Sequence, residues 1–227
     1  MTFSTVIQNI IKIMSKYWDV FLIKGVSVTL ALAAITVFFG AIIGALLAIM
    51  KMSPLWILRA IVTAFVEVIR GTPLLLQLYI GYFIVPLMVP ALEIGTFASI
   101  AVALVINSAA YVSEVIRSGI QAVDIGQTEA ARSLGLSKGQ TMTKVILPQA
   151  VKNILPALGN EFVTIIKETS LASVFFIREL TTAYKTVQAS TFLTIQPLLI
   201  SGLIYLVVTT VLSFAAGRIE GRLKASD

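Results

Sequence analysis

The sequence contains no cysteine and no histidine. Without cysteine the chain can form neither a disulfide nor a thiolate metal site, and without histidine it lacks the commonest general base and metal ligand. It has no H-E-x-x-H zinc motif and no Ser–His pair, and it also lacks the G-x-x-x-x-G-K-[ST] loop that cradles nucleotide phosphates. We therefore expect a non-catalytic protein with no cofactor or metal of its own.

Charged residues are also scarce. They make up 12% of the chain, against about 25% in a typical soluble domain, while 58% of the residues are hydrophobic. The windows 25–50, 71–92, 94–113 and 186–217 contain no charge at all. Each window is long enough to cross the hydrocarbon core of a bilayer, which takes about 20 residues. This composition predicts an integral membrane protein.

We predict an all-α integral membrane fold with five transmembrane helices in a single domain, residues 1–227. The fourth span is less apolar than the others because Glu161, Lys167 and Glu168 interrupt it. Gly71-Thr72-Pro73 lies inside the second span, and since proline has no amide hydrogen we expect a break or kink there. The predicted spans are 25–50, 57–90, 96–117, 154–177 and 196–217.

Residues 1–24 do not have the pattern of a secretory signal peptide, because Lys12, Lys16 and Asp19 interrupt the apolar run and no small-residue cleavage site follows. Within residues 1–20, apolar side chains recur at helical spacing, with polar side chains between them. That pattern predicts an amphipathic helix lying on the membrane surface. An N-terminal extension of the first span is the alternative.

Residues 120–150, which we call the polar loop, are polar and charged within an otherwise apolar chain. Asp124 and Gln127 have the spacing of a capping box, the reciprocal pair of hydrogen bonds that starts many helices. Gly135 follows at a place where glycine commonly ends a helix. The first part of the loop is therefore predicted to be a short helix.

A second short helix is predicted in the same loop. Ser137 and Gln140 again have capping-box spacing, and Pro148 should end or bend the helix that they start. Together the two helices would form a compact helix–turn–helix at the membrane face, a shape suited to a groove in another protein.

Glu129-Ala130-Ala131 lies in the polar loop, followed by Gly135 and by Leu147-Pro148. These residues resemble the EAA loop of ABC importer permeases, with Val145 where the family usually has isoleucine. In that family the loop holds the coupling helix that docks onto a separate ATPase subunit. The resemblance thus implies an ATPase-coupling role for Glu129, Ala130, Ala131, Gly135 and Leu136. An ordinary solvated loop is the alternative.

The distribution of positive charge predicts the orientation. If the polar loop is cytoplasmic, ten cations lie inside and five outside, as the positive-inside rule expects. The N-terminus is then outside and the C-terminus inside. The net charge of +6 is explained in this way, without a nucleic-acid partner. The inside cations are Lys51, Arg59, Arg117, Arg132, Lys138, Lys144, Lys152, Arg218, Arg222 and Lys224, and the outside ones are Lys12, Lys16, Lys24, Arg178 and Lys185.

The run from Arg70 to Gln77, with Arg70-Gly71-Thr72-Pro73-Leu74-Leu75 at its start, resembles the R-G-T-P-L-L-x-Q signature of polar-amino-acid permeases. Arg70 lies eleven residues past Arg59, about 16 Å along a helix, so we expect it near the membrane midplane. A broken helix exposes backbone polar groups that could bind a substrate carboxylate. Arg70, Gly71 and Thr72 are candidate substrate-binding residues, although Arg70 could simply pair with Glu67.

Glu161 is a carboxylate at predicted membrane depth, and charges there are functional hypotheses by default. With Asn160 beside it, Glu161 could bind the ammonium group or a cationic side chain of a substrate. A buried pair with Lys167 or a neighbouring helix is the alternative. Lys167 and Glu168 are expected to pair with each other near the outer gate.

The third span carries several polar residues. For Asn107, Ser108 and Tyr111 we favour close helix packing over ligand binding. Glu114 and Arg117 have i, i+3 spacing and are expected to pair at the cytoplasmic interface.

The resemblance covers most of residues 20–220 and implies the MetI-like, type I permease fold in a bacterial cell membrane. It implies an ATP-driven importer of a polar or basic L-amino acid that works by alternating access. Its partners would be membrane lipid, a second permease subunit (identical or closely related), two ABC ATPase subunits that bind ATP and Mg, and an extracytoplasmic amino-acid-binding protein. A stand-alone channel or secondary transporter, using Glu161 and Glu168 for a coupling ion, is the alternative.

Overall fold

Helices account for all regular structure in residues 3–224, the part of the chain that the computed structural model describes. The all-α prediction is confirmed. Residues 1–2 and 225–227, which belong to the predicted single domain, lie outside the described residues. The α-helices are α1 (Phe3–Trp18), α2 (Val26–Lys51), α3 (Trp56–Arg70), α4 (Leu74–Met88), α5 (Thr96–Gln121), α6 (Ile125–Ser133), α7 (Lys138–Thr141), α8 (Leu147–Glu168), α9 (Leu180–Thr191) and α10 (Ile195–Lys224).

Several helical stretches of the described chain are long and apolar enough to cross a membrane: Ser4–Lys51, Thr96–Gln121 and Ile195–Arg218. α3 and α4 meet the same criterion only together, as a broken pair bent by 108°. α8 is absent from this set because its apolar residues alternate with charged and amide side chains. The predicted crossing at 154–177 therefore stays a prediction.

α2 and α5 run parallel and pack closely through small residues. A Cβ added to Gly40 would lie 2.7 Å from Ser108 Oγ, and one added to Gly44 would lie 2.7 Å from Val112 Cβ. Gly40 and Gly44 have the small-xxx-small spacing of helix contacts, and this contact exists because only glycine lets the two backbones approach so closely.

The other long helices alternate in direction around this pair. α4 runs antiparallel to α5, since Gln77 contacts Asn107 and Gly81 lies against Ala103. α8 runs antiparallel to α10, since Gly159 lies against Ala216 while Ile165, one and a half turns further on, shares an apolar cluster with Tyr205. Thus α2, α5 and α10 point one way and α4 and α8 the other.

α1 joins α2 through a π-helical segment, Asp19–Gly25. Tyr17 has non-helical backbone angles (φ −120°, ψ 16°), which mark a kink. Ile13 is buried in a cluster with Leu180 of α9 and Ile200 of α10. α1 therefore packs against the bundle and is continuous with the first apolar run, while its lipid contacts stay a prediction.

The break at Gly71-Thr72-Pro73 is present, but it turns the chain far more sharply than a kink. α3 lies across the bundle, with Val62 and Val66 packed against Leu47 of α2 and Ala110 of α5. Its last residue, Arg70, reaches Glu114 near the C-terminal end of α5. The predicted midplane depth of Arg70 assumed one straight helix running inward from Arg59, whereas α3 lies at 108° to α4 and packs across α2 and α5. The depth of Arg70 itself stays a prediction.

Candidate functional site

The first helix of the polar loop, α6, is defined at both ends. The Asp124 carboxylate accepts a hydrogen bond from Gly126 N at 2.6 Å, which caps its N-terminus. The predicted reciprocal bond from Gln127 is absent; its side-chain oxygen instead accepts from Gln149 Nε2 at 3.3 Å. The capping-box prediction was therefore wrong, because the Asp124 carboxylate accepts from Gly126 N and not from Gln127 N, although Asp124 does start the helix.

Gly135 ends α6 as predicted. Its φ of +85° is the left-handed conformation that glycine adopts without strain. Gly135 N donates to Arg132 O at 3.0 Å and Leu136 N donates to Ala131 O at 3.1 Å. These two bonds form a Schellman motif, which satisfies the carbonyl groups at the end of the helix. The turn therefore depends on glycine at this position.

The second helix begins as predicted and ends differently. Ser137 and Gln140 form a complete capping box at the start of α7. Pro148 does not end the helical run, however, which continues through a π-helical segment, Met142–Ile146, directly into α8. Pro148 lies in the first turn of α8, where a missing amide hydrogen is tolerated. The polar loop is thus built on the start of a long helix.

The surface of the polar loop is unusual for a polar segment because it displays large apolar side chains. Leu134 is 85% exposed and Ile125 is 71% exposed. Glu129 and Ala130 are exposed, whereas Ala131 is buried. Three of the coupling candidates, Glu129, Ala130 and Gly135, are thus exposed on a loop that also exposes large apolar side chains.

A buried side chain holds the break between α3 and α4. Gln77 Nε2 lies 2.6 Å from Ile69 O, 3.1 Å from Thr72 O and 2.9 Å from Thr72 Oγ1. Its Oε1 accepts a hydrogen bond from Asn107 Nδ2 of α5 at 2.9 Å. The packing role expected for Asn107 is therefore incomplete, since its amide bonds directly to the broken helix.

The candidates Gly71 and Thr72 are largely occupied within the break itself. Gly71 N donates to Glu67 O at 2.8 Å and Thr72 N to Ile69 O at 3.5 Å. Thr72 Oγ1 donates to Val68 O at 2.9 Å. At the break, the amides in the first turn of α4, from Leu74 to Leu76, have no side-chain cap and no hydrogen-bond partner in the described chain, and they are therefore open.

Arg70 is held from two helices. Its Nη1 lies 3.8 Å from Glu67 Oε1, the pairing predicted as an alternative to substrate binding, and 4.0 Å from Glu114 Oε2. Its guanidinium also lies 5.5 Å from the centroid of the Tyr111 ring. Its side chain keeps 34% exposure, so it is positioned by these contacts and still accessible.

Glu114 is the centre of a charge cluster that the sequence did not predict in full. The expected pair with Arg117 is present at 2.7 Å. Lys51, at the end of α2, also forms an ion pair with Glu114 although 63 residues separate them. In the sequence, this ion pair was indicated only by the position of Lys51, a lone lysine that ends a long apolar run. The cluster joins α2, α3 and α5.

The candidates on α8 lie apart from the break. Asn160 is exposed and Glu161 half-buried, and neither has a hydrogen bond or ion pair in the described part of the chain. The predicted pairing of Lys167 with Glu168 is also absent at ion-pair distance within residues 3–224. The reason is that consecutive helical residues point to different sides of the helix.

Comparison with known proteins places the chain in a family. Residues 37–225 match the model of the binding-protein-dependent transport system inner membrane component. The chain is 40% identical over 207 residues to the arginine transport system permease protein ArtQ of Bacillus subtilis (strain 168), which covers 91% of this chain and 94% of the relative. It is 36% identical over 203 residues to the glutamine transport system permease protein GlnP of Escherichia coli (strain K12), covering 89% and 93%.

Solved structures agree with this result. The crystal structure of an amino acid ABC transporter with histidines has a chain that is 44% identical, with a TM-score of 0.87 and coverage of 92% of this chain and 96% of that one. A MetNI methionine ABC transporter, in inward-facing conformations, supports the fold at 19% identity, with a TM-score of 0.76 and coverage of 89% and 96%. The chain belongs to the family of binding-protein-dependent transport system inner membrane components, the multi-pass permease subunits of ABC importers.

Proposed function

We propose that this subunit lines the pathway of an importer for polar or basic L-amino acids, of the arginine and glutamine type carried by its relatives. The observation that carries the proposal is a polar row on α8 formed by Asn153, Asn160 and Lys167, all of them exposed. Residues seven apart lie nearly on one face of a helix. Polar side chains within a membrane bundle are stable only where they face water or another protein surface.

In this proposal the break would bind the carboxylate end of an amino acid, and α8 would bind its ammonium group or cationic side chain. Arg70 and the open amides at the start of α4 would attract the carboxylate, since a helix N-terminus carries partial positive charge. Thr72, whose hydroxyl is bonded within the break, would help to shape this end of the site. Gly71 would also matter for shape, since a Cβ there would lie 2.9 Å from Glu67 O. Glu161 and Asn160 would receive the ammonium group or a cationic side chain.

Energy would reach this pathway through the polar loop. Glu129, Ala130, Gly135 and Leu136 would form the docking surface for an ABC ATPase subunit, which binds ATP and Mg. The buried Ala131 would support this surface from beneath. The full transporter would contain two permease subunits, two ATPase subunits and an extracytoplasmic binding protein, and would alternate between outward-open and inward-open states. Since the chain is a permease subunit by family, the alternative of a stand-alone channel or secondary transporter has no support.

The test of this function is the transporter reconstituted with its ATPase and binding protein. We expect polar and basic L-amino acids to stimulate ATP hydrolysis, and Glu161→Gln to raise the half-saturating concentration about tenfold, the effect of losing one charge-assisted contact. Ser190→Ala, which removes an exposed hydroxyl on α9 that donates to Thr186 O at 2.9 Å, is the control outside the polar row and the proposed binding residues. An unchanged half-saturating concentration in Glu161→Gln would remove Glu161 from the binding site.

We further propose five crossings by α2, α4, α5, α8 and α10, with the N-terminus outside and the C-terminus inside. Because the chain has no cysteine, a single introduced cysteine reports its own location. Phe192 and Leu134 are 93% and 85% exposed and suit this purpose. In intact cells a membrane-impermeant maleimide should label the Phe192→Cys variant, and it should label Leu134→Cys only after permeabilisation. The reverse labelling pattern would show that the topology is opposite to the proposed one.

A further inference from the structure

The buried amides of Gln77 and Asn107 link the two halves of the broken helix to α5. Gln77 is 8% exposed and Asn107 is 3% exposed. They lie on different helices and 30 residues apart in sequence. Because both side chains lie away from the surface, direct contact with a substrate does not explain them.

Gln77 donates to carbonyl groups at the break, where Ile69 O otherwise has only the longer bonds from Thr72 N at 3.5 Å and Thr72 Oγ1 at 3.3 Å. The last carbonyl groups of any helix lack intrahelical donors, and Pro73 cannot supply an amide hydrogen. The Gln77 amide nitrogen covers this gap by lying 2.6 Å from Ile69 O and 3.1 Å from Thr72 O. The Gln77 side chain thereby links the end of α3 to the first turn of α4 by hydrogen bonds.

Asn107 fixes the orientation of the Gln77 amide. The Gln77 Oε1 accepts from Asn107 Nδ2 at 2.9 Å, so the Gln77 nitrogen must face the carbonyl oxygens of the break. A flipped amide would place oxygen against oxygen at Ile69 and nitrogen against nitrogen at Asn107. The two side chains therefore act as one hydrogen-bonded unit.

The face of α5 that carries Asn107 also contacts the end of α3, the helix before the break. Asn107, Tyr111 and Glu114 have i, i+4 and i+7 spacing and so share a face. Tyr111 and Glu114 contact Arg70, which ends α3, while Asn107 contacts Gln77 in α4. α5 thus contacts the chain on both sides of the break, at Arg70 before it and at Gln77 after it.

We propose that Gln77 and Asn107 form a clamp that sets the angle between α3 and α4 and so positions Arg70, Thr72 and the open amides of α4 for the substrate. This inference rests on the proposed function, since it assumes that the break receives the carboxylate. The two residues are positioning residues, which act through the groups that they hold. Their loss should therefore weaken substrate binding more than it slows turnover.

The experiment uses the complete transporter in proteoliposomes, with its binding protein and with arginine and glutamine as probes. Gln77→Leu and Asn107→Leu are each expected to raise the half-saturating concentration for stimulated ATP hydrolysis about tenfold, the cost of a lost buried hydrogen bond. The double variant should be no worse than either single variant, because the clamp is already broken. Ser113→Ala, which removes a buried hydroxyl bonded only within α5 to Ala110 O at 2.7 Å, should leave the value unchanged.

Arg70→Gln separates failure of the clamp from failure of the binding site, because the Arg70 side chain pairs with Glu67 and Glu114 and not with the two clamp residues. If Arg70→Gln shifts half-saturation and the two leucine variants do not, the clamp is wrong and the site stands. If Arg70→Gln has no effect either, the site itself is wrong. Additive effects of the two leucine variants would also overturn the clamp. Should a leucine variant fail to assemble, Asn107→Ser is expected to shift half-saturation in the same direction but less, and no shift would contradict the proposal.

Discussion

Replacing Gly135 with valine is expected to reduce amino-acid-stimulated ATP hydrolysis at least tenfold, whereas the same replacement at Gly139 should leave it nearly unchanged. Both glycines lie in the polar loop, and a Cβ at either position would meet nothing within 4 Å. The difference is the backbone: Gly135 has φ +85°, and Gly139 lies in the first turn of α7. Steric crowding is therefore the same in the two variants.

The effect at Gly135 should come from backbone strain alone. A β-branched residue at positive φ is strongly disfavoured, and holding a residue in such a region costs about 1–3 kcal/mol. The turn would relax to negative φ, and the Schellman bonds to Ala131 O and Arg132 O would be lost. Glu129 and Leu134 would then leave their positions on the proposed docking surface.

Two measurements check this prediction: stimulated ATP hydrolysis in proteoliposomes and co-purification of the ATPase subunit with the permease. We expect Gly135→Val to lose both and Gly139→Val to keep both. If Gly135→Val retained full coupling, the shape of the turn would not matter for docking. If both variants failed equally, the effect would lie in side-chain bulk at the interface and not in the turn.

The features predictable from sequence are those set within a few residues. The apolar runs of α2, α5 and α10 need only their own composition to identify them. Gly135 and the capping box of Ser137 and Gln140 act on backbone groups within one helical turn. In such places local chemistry and the final fold agree, which is usual for foldable sequences.

The angle at the broken helix was not predictable in the same way. Gly71 and Pro73 indicate that a break exists, but nothing local defines the direction of the chain after it. The 108° bend depends on α5, which supplies Asn107 to Gln77 and Glu114 to Arg70. The depth predicted for Arg70 assumed that α3 continued straight inward, and the bend removes that assumption.

Pro148 shows the opposite case, in which a local rule is overridden. Proline usually ends a helix because it removes one hydrogen bond and clashes with the preceding turn. Here the widened π-helical segment Met142–Ile146 precedes it and lets the helix continue into α8. Such segments are rare and occur mostly as single turns at functional sites, so sequence rules do not anticipate them.

The largest loss of stability is expected from Glu114→Gln. Lys51 and Glu114 keep only 6% and 14% side-chain exposure, and removing one partner of a buried ion pair costs about 3–5 kcal/mol because the other charge stays buried and unpaired. Arg117 and Arg70 would add further uncompensated positive charge beside Lys51. The ends of α2, α3 and α5 would then repel one another where the polar loop begins.

The reverse variant, Lys51→Met, should be milder, since Glu114 keeps Arg117 at 2.7 Å and Arg70 at 4.0 Å. Methionine also suits a buried position at the end of an apolar helix. Combining Lys51→Met with Glu114→Gln should recover part of the stability lost in Glu114→Gln, because the buried cation is then gone. Thermal unfolding of the purified, detergent-solubilised complex measures all three variants, and a double variant no more stable than Glu114→Gln would mean that Lys51 is not the charge that Glu114 neutralises.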